Sequence, residues 1–97
     1  MAKFNELKER YFDKLVQYVP IVAGVHGGHH PEFHEVHGLF KRIHEKVSET
    51  GSSKPDLKDE FLKLRAITDN YKIPGDVCET YEAVYKMLEE LDKAYFG

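Results

Sequence analysis

The sequence predicts an all-α protein, a short up-down-up-down four-helix bundle, on three observations. Apolar residues recur at steps of three and four along four separate stretches, and no stretch shows the period of two that a half-buried strand requires. Strong breakers divide the stretches: Gly27-Gly28, the polar run Thr50-Gly51-Ser52-Ser53, and Asn70 to Gly75. The connections between them are short, which favours antiparallel neighbours. The 97 residues are expected to form a single domain, residues 1–97, with one core.

The first helix is expected over residues 2 to about 24, with Phe4, Leu7, Tyr11, Phe12, Leu15, Val19 and Val22 on one apolar face. Pro20 lacks an N–H and crowds the carbonyl of Val16, so a kink, or a meeting of two helices near Tyr18, is expected there. Gly27-Gly28 would allow a reversal through positive φ. His30-Pro31-Glu32 reads as a helix entry, since proline suits the first helical position and Glu32 suits the positive end of the macrodipole.

The second helix should run from Pro31 to about Glu49, with Phe33, Val36, Phe40, Ile43 and Val47 inward and Leu39 beside them. Gly38 marks either a weak point or a close approach. The third should run from about Lys54 to Asp69, with Ser53 and Asp56 as a capping pair and Leu57, Phe61, Leu64 and Ile67 or Thr68 inward. The fourth should begin at Asp76, paired with Glu79 as a cap, and bury Val77, Tyr81, Val84, Leu88, Leu91 and Tyr95.

Composition narrows the function. The net charge is −3, with both signs interspersed and no basic block, which argues against a nucleic-acid partner. No apolar run approaches the roughly 20 residues a membrane span needs, and the charged start MAKFNELKER lacks the apolar core of a signal peptide. A cytoplasmic protein with no membrane partner is therefore expected. The one cysteine, Cys78, excludes an internal disulfide. It is expected to be a small buried side chain near a helix start, with a reactive thiol as the alternative.

All six histidines lie between Val25 and His44. His30, His34, His37 and His44 fall at steps of four, three and seven, a strip beside the apolar stripe of the second helix. His26, His30, His34 and His37 are the candidate metal ligands, because imidazoles one helical turn apart can share an iron or zinc ion. The plainer expectation is a boundary strip, half buried with ring tips in water. Either arrangement makes the charge of this face sensitive to pH near neutrality. No other catalytic constellation occurs: there is no phosphate loop, no paired-cysteine zinc pattern and no nucleophile triad.

Two stretches, in order, resemble a known family. VHGGHHPEFHEVHGLF is similar to a "VHG..HPEL..V..LF" segment, and LRAITDNYKIPGDVCETYEAVYKMLEELD to an "LR.LT..Y..P.DAC.TY.ALY..L.ELE" segment. Both belong to the hemerythrin-like domain of the iron–sulfur cluster repair di-iron proteins, the RIC family, and together they cover about two thirds of the chain. The resemblance implies a hemerythrin-like bundle, and in the family two irons sit between the helices on histidines and bridging carboxylates.

The ligands do not carry over. The family's first-helix histidine would fall near Asn5, the histidine ending its second helix near Thr50, and the Glu-His pair opening its third near Lys54. Its last pair would lie just beyond Gly97. All four places belong to one bundle end, whereas the retained motifs, Gly24–Glu32 and Asn70–Cys78, form the other. His26 matches a frequent family histidine, but on a helical path it lies roughly 30 Å from Asn5.

Three functions follow as expectations. The favoured one is a shortened hemerythrin-like bundle without the di-iron site, an interaction module rather than an enzyme. Its cut end would expose Phe4, Val47, Leu57 and Phe96, and a homodimer would cover them. The second is an iron- or zinc-binding protein of the repair type using the cluster from His26 to His44. The third is a histidine-based pH or metal sensor.

Overall fold

The computed structural model describes residues 2–50 and 54–97. Four helices follow one another: α1 (Ala2–His26), α2 (Glu32–Thr50), α3 (Lys58–Ile67) and α4 (Glu79–Phe96), with no strand among the described residues. Cross-contacts fix an antiparallel order. Phe4 near the start of α1 meets Tyr95 at the end of α4, Phe12 meets Phe40 of α2, and Lys46 late in α2 meets Glu60 early in α3. The fold is the up-down-up-down four-helix bundle that the periodicity predicts.

α1 does not break at Pro20; it is one helix of 25 residues. At ~1.5 Å per residue it covers about 37 Å, the full 37 Å length of the molecule. Pro20 is tolerated because it sits on the exposed face, with Val16 46% exposed, so the carbonyl it frees turns toward water. The inward face, Phe4, Leu7, Phe12, Leu15, Val19 and Val22, is buried as the spacing requires.

The turn after α1 works differently from expectation. Neither Gly27 nor Gly28 has a left-handed backbone. Gly27 is needed for space: a Cβ there would collide with the Ala23 carbonyl and the ring of His34.

α3 is shorter than the spacing suggests. Its first helical residue is Lys58, and Pro55 to Leu57 form a non-helical lead-in. Gly51, Ser52 and Ser53, with the expected cap from Ser53, lie outside the described residues. The lead-in is held from across the bundle: the Tyr95 hydroxyl donates to the Pro55 carbonyl (2.9 Å) and accepts from the Leu57 N–H (2.9 Å). Lys46 adds a bond to the Asp56 carbonyl (3.0 Å) and an ion pair to the buried Glu60 (2.8 Å).

Phe4, Val47 and Leu57, expected to be exposed at a cut end, are buried within the monomer at 1%, 8% and 0%. Tyr95 lies edge-on to Phe4 at 5.7 Å and tilted against Phe61 at 5.4 Å, so aromatic rings close this end. Only Phe96 stays open, at 42%, with the Arg65 guanidinium 4.7 Å from its ring.

The segment after α3 is pinned rather than loose. Asp69, Asn70 and Tyr71 all have positive φ (53°, 59° and 63°), unfavourable for residues with a Cβ. Compensation comes from Thr68, whose hydroxyl accepts from the Tyr71 N–H (2.8 Å) and donates to the Leu64 carbonyl (2.6 Å). The Tyr71 side chain is buried, and its hydroxyl donates to Asp92 of α4 (2.6 Å). Burial, and then Asp92, raise the Tyr71 phenol well above its ordinary range.

Candidate functional site

The two loops at the opposite end, the α1–α2 turn and the α3–α4 connection, bring together the chemistry-bearing side chains of the chain. Tyr81, on the first turns of α4, is fully buried and supplies the platform. His26, the last residue of α1, meets it edge-on at 5.4 Å, and His30 does so at 5.6 Å. Phe33 closes the inner side, 5.0 Å from Tyr81. The Tyr81 and Tyr85 hydroxyls hydrogen-bond each other at 3.0 Å, one helical turn apart. Burial raises both phenols, and the mutual bond raises Tyr81 further, so both stay neutral.

His30 joins the two loops. Its Nδ1 lies 3.0 Å from Glu32 Oε2 and its Nε2 lies 2.9 Å from Asp76 Oδ1. A neutral imidazole has only one N–H, so one of these contacts would set a lone pair against a carboxylate; the geometry is that of the imidazolium. Glu32 first, and then Asp76, raise the His30 pKa against an opposing effect of burial. Asp76 is held below its ordinary value, chiefly by the bond from His30. Asp76 is therefore not the cap of α4. The helix begins at Glu79 with Cys78 at the N-cap, and no side chain caps it.

Cys78 is exposed, not buried as expected. Its Sγ lies 3.1 Å from His26 Nε2.

The four candidate ligands do not form one set. His26 turns to Cys78 and His30 to Glu32 and Asp76. His34 packs over Gly27 and borders a groove between α2 and α3. His37 borders a different groove, toward α1, together with His44. Burial lowers the His37 pKa, with Lys41 and His34 adding to the effect. His44 rests against Phe12 (5.9 Å) and Phe40 (6.0 Å), a half-buried boundary position. The strip read from the helix angle is split because the loop and the neighbouring helices draw successive rings in different directions. Among the described residues, no group of three or more His, Cys, Asp or Glu side chains is arranged to hold a metal ion. No helix among them is long and apolar enough to cross a membrane.

The bridge makes a prediction about pH. His30 has a raised pKa in the folded state, so its contribution is complete below the unfolded value of about 6.5 and fades as pH rises through the folded value. Asp76 has a lowered pKa, so its contribution is present above about 3.9 and fades as pH falls through the folded value. The bridge is thus strongest between about pH 4 and 6.5. His37, lowered in the fold, acts in the opposite direction, so the informative quantity is the difference between wild type and His30→Gln. Thermal melts should show the largest gap near pH 5.5 and a smaller one at pH 8.5. A gap that is constant across this range would contradict the charged bridge.

No family model matches the chain, and no solved structure does. Among curated proteins, the chain is similar to the iron-sulfur cluster repair protein ScdA of Staphylococcus haemolyticus (strain JCSC1435), at 22% identity over 123 residues. The match takes in 95% of this chain and 55% of that protein, so the chain spans about half the length of the curated relative. The 123 matched positions exceed the 97 residues present, so the relative carries extra residues within the matched stretch. The similarity relates this chain to an iron–sulfur cluster repair protein.

Proposed function

We propose that the chain is a shortened hemerythrin-like bundle of the iron–sulfur repair type that has exchanged its di-iron cage for a packed core and works as a non-catalytic interaction module. The observation that carries this reading is the content of the far end. Where the resemblance would place ligands, near Asn5, Thr50 and Lys54, the interior holds Phe4, Val47, Leu57, Phe61 and Tyr95. The Tyr95 hydroxyl there is already engaged by Pro55 and Leu57. Five of the six histidines lie between residues 26 and 37, toward the other end, and His44, one turn before Val47, rests against Phe12 and Phe40. A di-iron centre needs imidazoles and bridging carboxylates around an open space, and these residues do not fit one. The extra residues of the relative within the matched stretch agree with an internal shortening.

Metal analysis of untagged protein from iron-replete cells tests the reading. Iron and zinc each below about a tenth of an equivalent are expected, against about two irons for a di-iron centre. A stoichiometry near two, with absorbance from an oxo-bridged pair, overturns it. Self-association through the far end would rest on Phe96, which is exposed where Phe4, Val47 and Leu57 are buried. Sedimentation of Phe96→Ser beside the wild type tests that addition, and a wild-type monomer at high concentration removes it.

A second reading has its own observation. The doubly bridged His30 ties the two loops together in its charged form, which supports a histidine-based pH sensor at this end. A metal sensor built on His26, His30, His34 and His37 would first have to break the contacts of His26 and His30.

A further inference from the structure

Gly38 stands in the middle of α2, where glycine weakens a helix. Two helix-related explanations fail. It does not end the helix, which continues to Thr50. It does not admit a neighbour either, since a Cβ added there meets nothing within 4 Å. Gly27 differs in this respect, because the His34 ring fills the space its missing side chain leaves. The space at Gly38 belongs to a groove of about 620 Å³ between α2 and α3, within the usual range for small-ligand sites.

Leu39 and Ile67 give the groove its apolar floor, with Ala66 beside them. Arg42 of α2 and Lys63 of α3 stand on facing walls. By the register of the Lys46–Glu60 pair they lie at the same level, and neither has an ion-pair partner among the described residues. His34 and Glu35 border the other end, where Glu35 would repel a second negative charge. We propose that this groove binds a small anion with an apolar body, a medium-chain carboxylate, its head between Arg42 and Lys63 and its chain lying over Gly38.

The arrangement specifies both parts of the ligand. Arg42 offers a planar fork suited to a carboxylate, and Lys63 adds a second positive charge from the opposite wall. Between the charged ends the groove is lined by Gly38, Leu39, Ala66 and Ile67, none with a polar side chain, so this part suits methylene groups. This proposal is independent of the fate of the di-iron site.

Titration of isotope-labelled protein with sodium decanoate, followed by amide and methyl shifts, tests it. Saturable shifts confined to residues 34–42 and 63–67 are expected below about 1 mM. Gly38→Leu should weaken binding at least tenfold without lowering the melting temperature, because leucine favours the helix and its side chain enters open space. Arg42→Gln with Lys63→Gln should also weaken it about tenfold and remove its salt dependence. Absence of saturable shifts overturns the proposal, as do shifts spread over the whole surface or equal binding by Gly38→Leu. Decanol binding as tightly as decanoate overturns the role of the two cations.

Discussion

Phe61→Ala is expected to destabilise the protein by about 3–5 kcal/mol, enough to bring a domain of this size close to unfolding at room temperature. Phe61 is fully buried at the first turns of α3 and touches the Tyr95 ring at 5.4 Å. α3 has ten residues, too few to hold themselves as a helix without packing. Removing the ring leaves a cavity beside Tyr95 and loosens the lead-in that Tyr95 holds. Urea unfolding followed by circular dichroism measures the loss. Phe96→Ala is the comparison: its ring is 42% exposed, and its loss should cost about 1 kcal/mol or less. Equal effects from the two substitutions would mean that the far end is not packed as described.

Asp92→Ala is expected to cost about 2–3 kcal/mol. Asp92 is 1% exposed and gathers three donors: Arg65 Nε (2.9 Å), Arg65 Nη2 (2.5 Å) and the Tyr71 hydroxyl (2.6 Å). Without the carboxylate, the buried Tyr71 hydroxyl loses its acceptor, and the left-handed run Asp69–Tyr71 loses the anchor that offsets its backbone strain. Arg65 is itself 39% exposed, so in Asp92→Ala water can solvate the freed guanidinium, whereas Arg65→Ala leaves the buried Asp92 carboxylate with only the Tyr71 hydroxyl and should cost at least as much, about 3 kcal/mol. The ordering Arg65→Ala at or above Asp92→Ala is the test, read in the same unfolding experiment. A clearly smaller cost for Arg65→Ala would place the weight of the contact on Tyr71 and not on the ion pair.

The helices were legible because each is amphipathic over several turns. The seam Tyr81, Val84, Leu88, Leu91, Tyr95 and the stripe Phe33, Val36, Phe40, Ile43, Val47 are buried where their spacing puts them. Where structure and sequence expectation differ, a residue distant in the chain overrides the local preference. Pro20 does not end α1, since the face it disrupts is the exposed one. Asp76 has the spacing of a cap to Glu79, yet it is drawn 46 residues back to His30. Cys78 looked like core filling, yet it stands exposed against His26, 52 residues away. The histidine strip was real as a helix angle. Its rings diverge in the fold, because Gly27 takes one ring, the Asp76 carboxylate another, and the grooves flanking α2 the rest.

The residues around the far end offered a signal that sequence alone could only half use. The absence of histidines near Asn5, Thr50 and Lys54 is visible in the chain. What replaces them is not, because Phe4, Val47, Leu57, Phe61 and Tyr95 come from all four helical stretches and meet only in the fold. Burial of these side chains is also what makes an exposed apolar end unnecessary in a chain so short.

The central claim is that this end is a closed core and not a vacant cage. Anaerobic addition of two equivalents of ferrous iron to isotope-labelled protein, followed by nuclear magnetic resonance, tests it most directly. The account predicts that the signals of Phe4, Leu57, Phe61 and Tyr95 stay sharp and unmoved. Paramagnetic broadening of those four residues, saturating at about two irons per chain, would contradict it.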